Sequence, residues 1–475
     1  MPPNIIIFMS DQWRGDYVGA AGHPFIRTPN HDRFAEDGMV FTQAYTTHPI
    51  CGPSRCSFCT GWYPHTRGHR SQETLIEAHE PHLFQYLKDA GYTNVWCGKN
   101  DMLSDEAIAQ SVDIRLSPKR RPTTWGKNPY DEDDPRFYSF YYGPLEGSLE
   151  DHRDVQNVRA AQEFLNSNPS EPFCLWVNTT FPHPPYAAPE PYASMYDPDA
   201  MDDPIPGGEY AGMPAFMAAL NKHSRMDRVN AEHIRKMRAM YCGMVSMADD
   251  LIGDLTETMH DAGLADSTAM FVTSDHGNFT GDYGLAEKWH TACQDAIARV
   301  PMAVRLPGGT GQHGTTDALV QHMDVFGTIL DLCDIEPRWH HHARSMLPIM
   351  RGEAETVRDD VLACSGTKQP LEKPHLCGRE KLMDTPKDGP YYSFVRTFAE
   401  QPEAASLTFM LRTSDWKYVW RQHDIEELYD LSADPQELHN LLHEAPERVP
   451  DQHNNMKTRL LARIAETCDI MPGVV

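Results

Sequence analysis

Long apolar runs are missing from this 475-residue sequence. No stretch approaches the roughly 18 consecutive apolar residues that a membrane span requires. Met1 stands three residues before the apolar "NIIIFM", too close for the basic, apolar and cleavage regions of a secretory signal. An excess of positive charge is also missing: 42 Lys and Arg stand against 68 Asp and Glu, a formal net charge of −26. That balance argues against nucleic acid or an anionic membrane surface as a partner. It leaves a small anion open, because exposed charges are screened beyond about 8 Å and local groups decide binding. The cysteines number 11, an odd count in a chain far too long for a disulfide-stapled mini-domain, so reduced thiols and a cytoplasmic location are expected. Internal repeats and low-complexity tracts are absent. What remains is a soluble composition, 40% hydrophobic and 23% charged, long enough for one large α/β domain plus a smaller one.

Several short apolar runs end abruptly in polar residues: "NIIIFMSDQ" from residue 4, "YTNVWCGKND" from 92, "PFCLWVNTTFPHP" from 172 and "AMFVTSDHGN" from 269. They read as buried parallel strands. Helical segments such as "PHLFQYLKDAG" and "VQNVRAAQEFLNS" alternate with them, the pattern of a sheet covered by helices on both faces. Ligand sites in such sheets form at the carboxyl ends of the strands. A helix is expected from about Ala231 to Ala262, with Met237, Met240, Met244, Met247, Leu251, Leu255 and Met259 as its core stripe. Residues 186–226 and the acidic "YDEDDPRF" near 130 read as long loops, and the run His340-His341-His342 as an exposed connection. After about residue 355 short alternating strands precede a helix from about Ala445 to Thr467. The expected division is a catalytic domain over 1–355 and an α+β subdomain over 356–475.

Two strand ends repeat one pattern, Ser10-Asp11-Gln12 and Ser274-Asp275-His276-Gly277. If both strands are central, Asp11, Gln12, Asp275 and His276 converge as an oxygen-dominated set suited to Ca²⁺, Mg²⁺ or Mn²⁺. The alternative is that each aspartate caps the following turn. "CGPSRCSFCTG", residues 51–61, opens a helix. Its Cys51-x4-Cys56-x2-Cys59 spacing is that of a plant-type iron–sulfur loop, but no convincing fourth cysteine follows, Cys97 being the next. A nucleophile at Cys51 would instead face free backbone N–H groups and the positive end of the helix.

This stretch resembles the signature of the type I sulfatases, Cys-x-Pro-Ser-Arg-x-x-x-x-Thr-Gly. The resemblance runs almost end to end through "NIIIFMSDQWRGD", "LKDAGYTNVWCGK", "PHPPY", "SDHGNFTGDYGLAEK", "ARVPMAVRLPG", "DWKY" and "ELYDLSADPQELHNL". It implies an alkaline-phosphatase-like α/β/α sandwich with a mostly parallel sheet, and oxidation of Cys51 to formylglycine by a formylglycine-generating enzyme. The hydrated aldehyde would attack sulfur and then expel sulfate through its second hydroxyl. Carried over by position, Asp11, Gln12, Cys51, Asp275 and His276 hold one divalent ion, Ca²⁺ before Mg²⁺ or Mn²⁺. Arg55 holds the aldehyde hydrate, Lys99 and Lys288 clamp sulfate oxygens, and His183 is the acid at the leaving oxygen, while Cys56 and Cys59 are packing thiols.

Two positions depart from the family. Gln12 replaces a common second aspartate, which makes the site less anionic. Asp101 in "GKND" stands where many members have histidine, and it is open to a role as proton acceptor, substrate contact or turn residue. The implied enzyme is an arylsulfatase-like hydrolase of a small anionic sulfate ester, monomeric or homo-oligomeric. The rivals are a phosphonate monoester hydrolase or phosphodiesterase using the same formylglycine, and a non-catalytic anion-binding relative in which Cys51 stays a thiol.

Overall fold

In the computed structural model, which describes residues 2–118, 126–170, 172–367 and 385–468, the four apolar runs lie side by side. Asn4–Ser10, Thr93–Gly98, Phe173–Asn178 and Thr268–Ser274 are the central strands of an eight-stranded sheet. Across the sheet the order is Gly314–Thr316, Met39–Phe41, Met302–Arg305, Thr268–Ser274, Asn4–Ser10, Phe173–Asn178, Thr93–Gly98 and Ile114–Leu116. Only Met302–Arg305 runs against its neighbours. The pairing puts Ser10 opposite Ser274 and Gly98 opposite Asn178, so all four strands stop at one level.

Each central strand is apolar along its whole length because both faces are covered. Alternation along Asn4–Ser10 sends Ile6 and Phe8 to one face and Ile5, Ile7 and Met9 to the other. The first face packs on the helices Arg153–Asn166 and Ala231–Asp261, and the second on Cys51–Thr60 and Leu83–Asp89. Every member of the Met237-to-Met259 stripe is buried. Asn230 caps that long helix by accepting from the His233 N–H at 2.9 Å.

A second sheet is antiparallel and four-stranded, in the order Val361–Ser365, Thr408–Arg412, Trp416–Arg421, Glu427–Asp430. Lys417 Nζ ties it to the main body, 2.5 Å from Asp295 Oδ1 and 2.5 Å from Glu437 Oε1. Among the described residues no helix is long and apolar enough to cross a membrane.

Three local expectations change. Residues 186–226 include a helix, Ala215–His223, whose Phe216, Met217, Ala219 and Leu220 are buried; averaging over the Pro- and Gly-rich surroundings hides that short apolar face. The C-terminal helix begins at Pro450 rather than near Ala445, since proline suits the first helical turn. Of the three consecutive histidines only His340 is exposed. His341 lies edge-on to Phe326 and His342 stacks on Tyr63.

Candidate active site

The polar ends of the four central strands deliver the candidate residues to one place. Asp11 and Gln12 follow Asn4–Ser10, Asp275 and His276 follow Thr268–Ser274, Lys99 and Asp101 follow Thr93–Gly98, and His183 follows Phe173–Asn178. Cys51 is the first residue of the Cys51–Thr60 helix, after the extended Ile50. One ligand atom each from Asp11, Cys51, Asp275 and His276 lies within 4.8 Å of all the others, and all four residues are buried. Cys51 Sγ stands 3.4 Å from His276 Nε2 and 3.7 Å from Asp11 Oδ1. Cys56 and Cys59 are buried elsewhere, Cys56 Sγ lying 3.6 Å from the Met102 carbonyl. The described thiols therefore do not gather into a cluster-binding set.

The geometry fits a hard divalent cation. His276 Nδ1 is 2.9 Å from the Gly277 carbonyl; an N–H donated there leaves the Nε2 lone pair facing the two carboxylates. Gln12 is set apart from Asp11, Cys51, Asp275 and His276: its Oε1, the atom able to ligate a cation, accepts from Lys288 Nζ at 2.7 Å, while its amide donor Nε2 is buried without a partner. Asp275 also serves its own turn, Oδ1 accepting from Gln12 N at 3.0 Å and His276 N at 2.9 Å, so the capping role and the ligand geometry coexist in one side chain.

Three cations surround this cluster. Arg55 Nε donates to Asp275 Oδ2 at 2.8 Å and Arg55 Nη1 to Asn178 Oδ1 at 2.7 Å, while Nη2 lies 3.7 Å from Asp11 Oδ2. Lys99 Nζ bonds Asp11 Oδ2 and lies 2.6 Å from Asp101 Oδ2. Lys288 Nζ donates to Gln12 Oε1 at 2.7 Å and lies 3.1 Å from His183 Nε2. The open side is the Lys99, Asp101 and His183 side, where the side chains retain 22%, 22% and 19% exposure. Asp11, Cys51, Asp275 and His276 are themselves buried.

Titration follows from these contacts. Burial would raise the Asp11 carboxyl, but Lys99, with His183, Arg55 and Lys288, holds it well below the usual carboxylate range. Asp275 is likewise lowered despite burial, chiefly by Arg55. Burial and Asp11 push the Cys51 thiol up to about 12. As a thiol, Cys51 is thus protonated near neutrality and a weak nucleophile.

Sequence reasoning did not single out Asn178, Gln72 or Glu287. Asn178 closes the Phe173–Asn178 strand and holds Arg55, a position that the shared polar strand ends could have flagged. Gln72 Nε2 approaches Cys51 Sγ to 3.7 Å from a loop with no motif. Glu287 is masked by its neighbour Lys288, although its carboxylate touches that lysine at 3.0 Å.

Residues 3–335 match the family model described as "Sulfatase". The choline-sulfatase of Rhizobium meliloti (strain 1021) is 27% identical over 474 residues, covering 95% of this chain and 84% of the relative. The phosphonate monoester hydrolase of Agrobacterium radiobacter superposes with a TM-score of 0.78 at 21% identity, over 98% of this chain and 96% of that one. BT1596, a 2-O GAG sulfatase, does so with 0.70 at 20% identity, over 99% and 93%. The architecture is therefore the alkaline-phosphatase-like α/β/α sandwich, and with the family model spanning most of its length, the chain belongs to the sulfatase family.

Proposed function

We propose that the protein is an arylsulfatase-like sulfuric ester hydrolase that cleaves a small sulfate ester to an alcohol and sulfate at a formylglycine derived from Cys51. The observation that carries this reading is the meeting of Cys51, Asp11, Asp275 and His276 within 4.8 Å, flanked by the Lys99 and Lys288 ammonium groups. Asp11, Gln12, Asp275 and His276, with the side chain at position 51, would hold one divalent ion, Ca²⁺ in preference to Mg²⁺ or Mn²⁺. Bound there, the ion supplies a Lewis acid that polarises a sulfate oxygen and lowers the pKa of a coordinated hydroxyl. Formylglycine supplies a hydrated aldehyde as nucleophile, which the weakly acidic thiol cannot match.

The chain's own residues do the rest. Lys99 and Lys288 face the sulfate oxygens and stabilise charge that grows in the transition state. Arg55 fixes the two ligand carboxylates and stands beside residue 51. His183, at the open side, gives a proton to the leaving alcohol oxygen. Asp101 orients the Lys99 ammonium, which it reaches at 2.6 Å. A formylglycine-generating enzyme is the required maturation partner. All ten cysteines among the described residues are free thiols, which supports a reducing compartment, and we take it to be the cytoplasm.

A second reading, hydrolysis of a phosphonate monoester or phosphodiester, has one observation in its favour. The phosphonate monoester hydrolase of Agrobacterium radiobacter superposes over 98% of this chain, and a tetrahedral monoanion of phosphorus fits the same lysine clamp. Labelling with an aldehyde-reactive hydrazide tests the common core of both readings. Protein made with the maturation enzyme should label at residue 51 and hydrolyse an aryl sulfate, or on the second reading an aryl phosphonate monoester, whereas Cys51→Ala should neither label nor turn over either ester. Unlabelled wild-type protein from such a host would support a non-catalytic anion-binding relative instead.

A further inference from the structure

Glu287 brings together features that are each unfavourable. Its carboxylate is completely buried, and its backbone sits at φ 67°, a left-handed conformation that side chains other than glycine rarely adopt. The surroundings hold it there: Phe279 N donates to its carbonyl at 2.8 Å, and its own N–H donates to Tyr186 Oη at 3.2 Å. The carboxylate then faces the reacting side of the pocket. Oε1 is 3.0 Å from Lys288 Nζ and 3.7 Å from His183 Nε2, and it accepts from Tyr391 Oη at 3.1 Å. Oε2 accepts from the Lys288 N–H at 2.5 Å.

His183 needs such a partner. Its Nδ1 lies 2.5 Å from the Pro184 carbonyl, so an N–H there is used by the backbone and Nε2 is the nitrogen left for proton transfer. That nitrogen lies 3.1 Å from the Lys288 ammonium, and a second positive charge there is opposed at short range. Burial and Lys288 bring His183 down to about 4, with Lys99 acting the same way; Asp11 and Glu287 offset part of that lowering, so Glu287 raises the protonated share of the ring without making it the main form near neutrality. Glu287 is the carboxylate that touches both members of the pair.

We propose that Glu287 is a positioning residue for sulfate-ester cleavage, anchoring Lys288 and supplying the countercharge that lets His183 Nε2 carry a proton to the leaving alcohol oxygen. This rests on the function proposed above. As a hydroxyl oxygen of the hydrate at residue 51 gives its proton to solvent and bonds to sulfur, the bond from sulfur to the alcohol oxygen breaks and its electron pair stays on that oxygen. The oxygen takes the Nε2 proton and leaves as the neutral alcohol, and His183 is reprotonated from solvent, so the proton released by the nucleophile balances the one the leaving group consumes.

The test compares a leaving group that needs a proton with one that does not. Phenyl and 4-nitrophenyl sulfate are turned over by wild type, Glu287→Gln and Glu287→Asp at matched formylglycine content. Glu287→Gln should lose at least about tenfold more kcat on phenyl than on 4-nitrophenyl sulfate, in line with the usual scale of general acid catalysis. Glu287→Asp, which keeps the charge, should show a smaller loss of the same kind and carries the test if the glutamine variant does not fold. Equal losses on both esters, or none, would overturn the assignment. If wild type prefers the matched aryl phosphonates, a selective loss within that pair upholds Glu287 and contradicts the sulfate reading. Wild type inert on both classes overturns the two together.

Discussion

Arg55 Nε donates to Asp275 Oδ2 across 2.8 Å with both side chains fully buried. The guanidinium also reaches Asn178, the Ser10 carbonyl and Asp11, so one residue ties together three strand ends. Removing one member of a buried pair leaves its partner uncompensated, at about 3–5 kcal/mol. Arg55→Met should therefore lower stability by that order, read from the midpoint of urea unfolding. A midpoint equal to that of wild type would show that the pair does not hold the strand ends.

Gln12 takes a left-handed backbone, φ 71°, and the long helix steadies it. Tyr241 Oη donates to the Gln12 carbonyl at 2.7 Å and accepts from Arg14 N at 3.1 Å. Tyr241→Phe strands both groups in the interior, which costs about 1–3 kcal/mol. The expected result is a loss of that size in urea unfolding together with weaker divalent-ion affinity, as Gln12 loses its support. Unchanged ion affinity would separate Tyr241 from the site.

His31 is completely buried with neither ring nitrogen hydrogen-bonded among the described residues, and burial lowers it from 6.5 to about 4. The unfolded chain therefore binds a proton at this residue below about pH 6.5 while the folded ring stays neutral until about pH 4. Stability is greatest above the unfolded value and falls as pH drops through this window, by roughly 3 kcal/mol at most. His31→Leu should flatten the slope of unfolding free energy between about pH 6.5 and 4. An unchanged slope would mean that other buried histidines, such as His322 and His82, carry the acid sensitivity.

Asp11 and Asp275 carry two buried negative charges in one ligand cluster, so an ion that binds only the folded state must stabilise it. At a free concentration about 100 times its Kd the gain is about 2.7 kcal/mol. Chelation should lower the thermal midpoint of wild type, and Asp275→Asn should abolish most of that dependence. A midpoint indifferent to chelator in wild type would contradict the ion site.

The four central strands could be read directly because burial on both faces makes each an uninterrupted apolar run that stops at Ser10, Gly98, Asn178 or Ser274. The methionine stripe of the long helix was legible from its spacing of three and four, which persists from Met237 to Met259. Ala215–His223 was not, since nine residues that follow Pro214 and a Pro- and Gly-rich stretch carry too little periodicity. The candidate site divides along similar lines. Cys51, Asp11 and Asp275 stand in motifs at the ends of strong elements. Glu287 and Gln72 do not, because their contacts arise from a left-handed turn and a loop approach that only the folded chain creates.

The central claim is best tested by kcat/KM for an aryl sulfate and an aryl phosphonate monoester with the same leaving group. The protein should have its formylglycine content at residue 51 fixed by peptide mass, with Cys51→Ala as the blank. A sulfatase acting through residue 51 should show a higher kcat/KM for the sulfate and no turnover of either ester by the blank. A preference for the phosphonate, or turnover that survives Cys51→Ala, would contradict that claim.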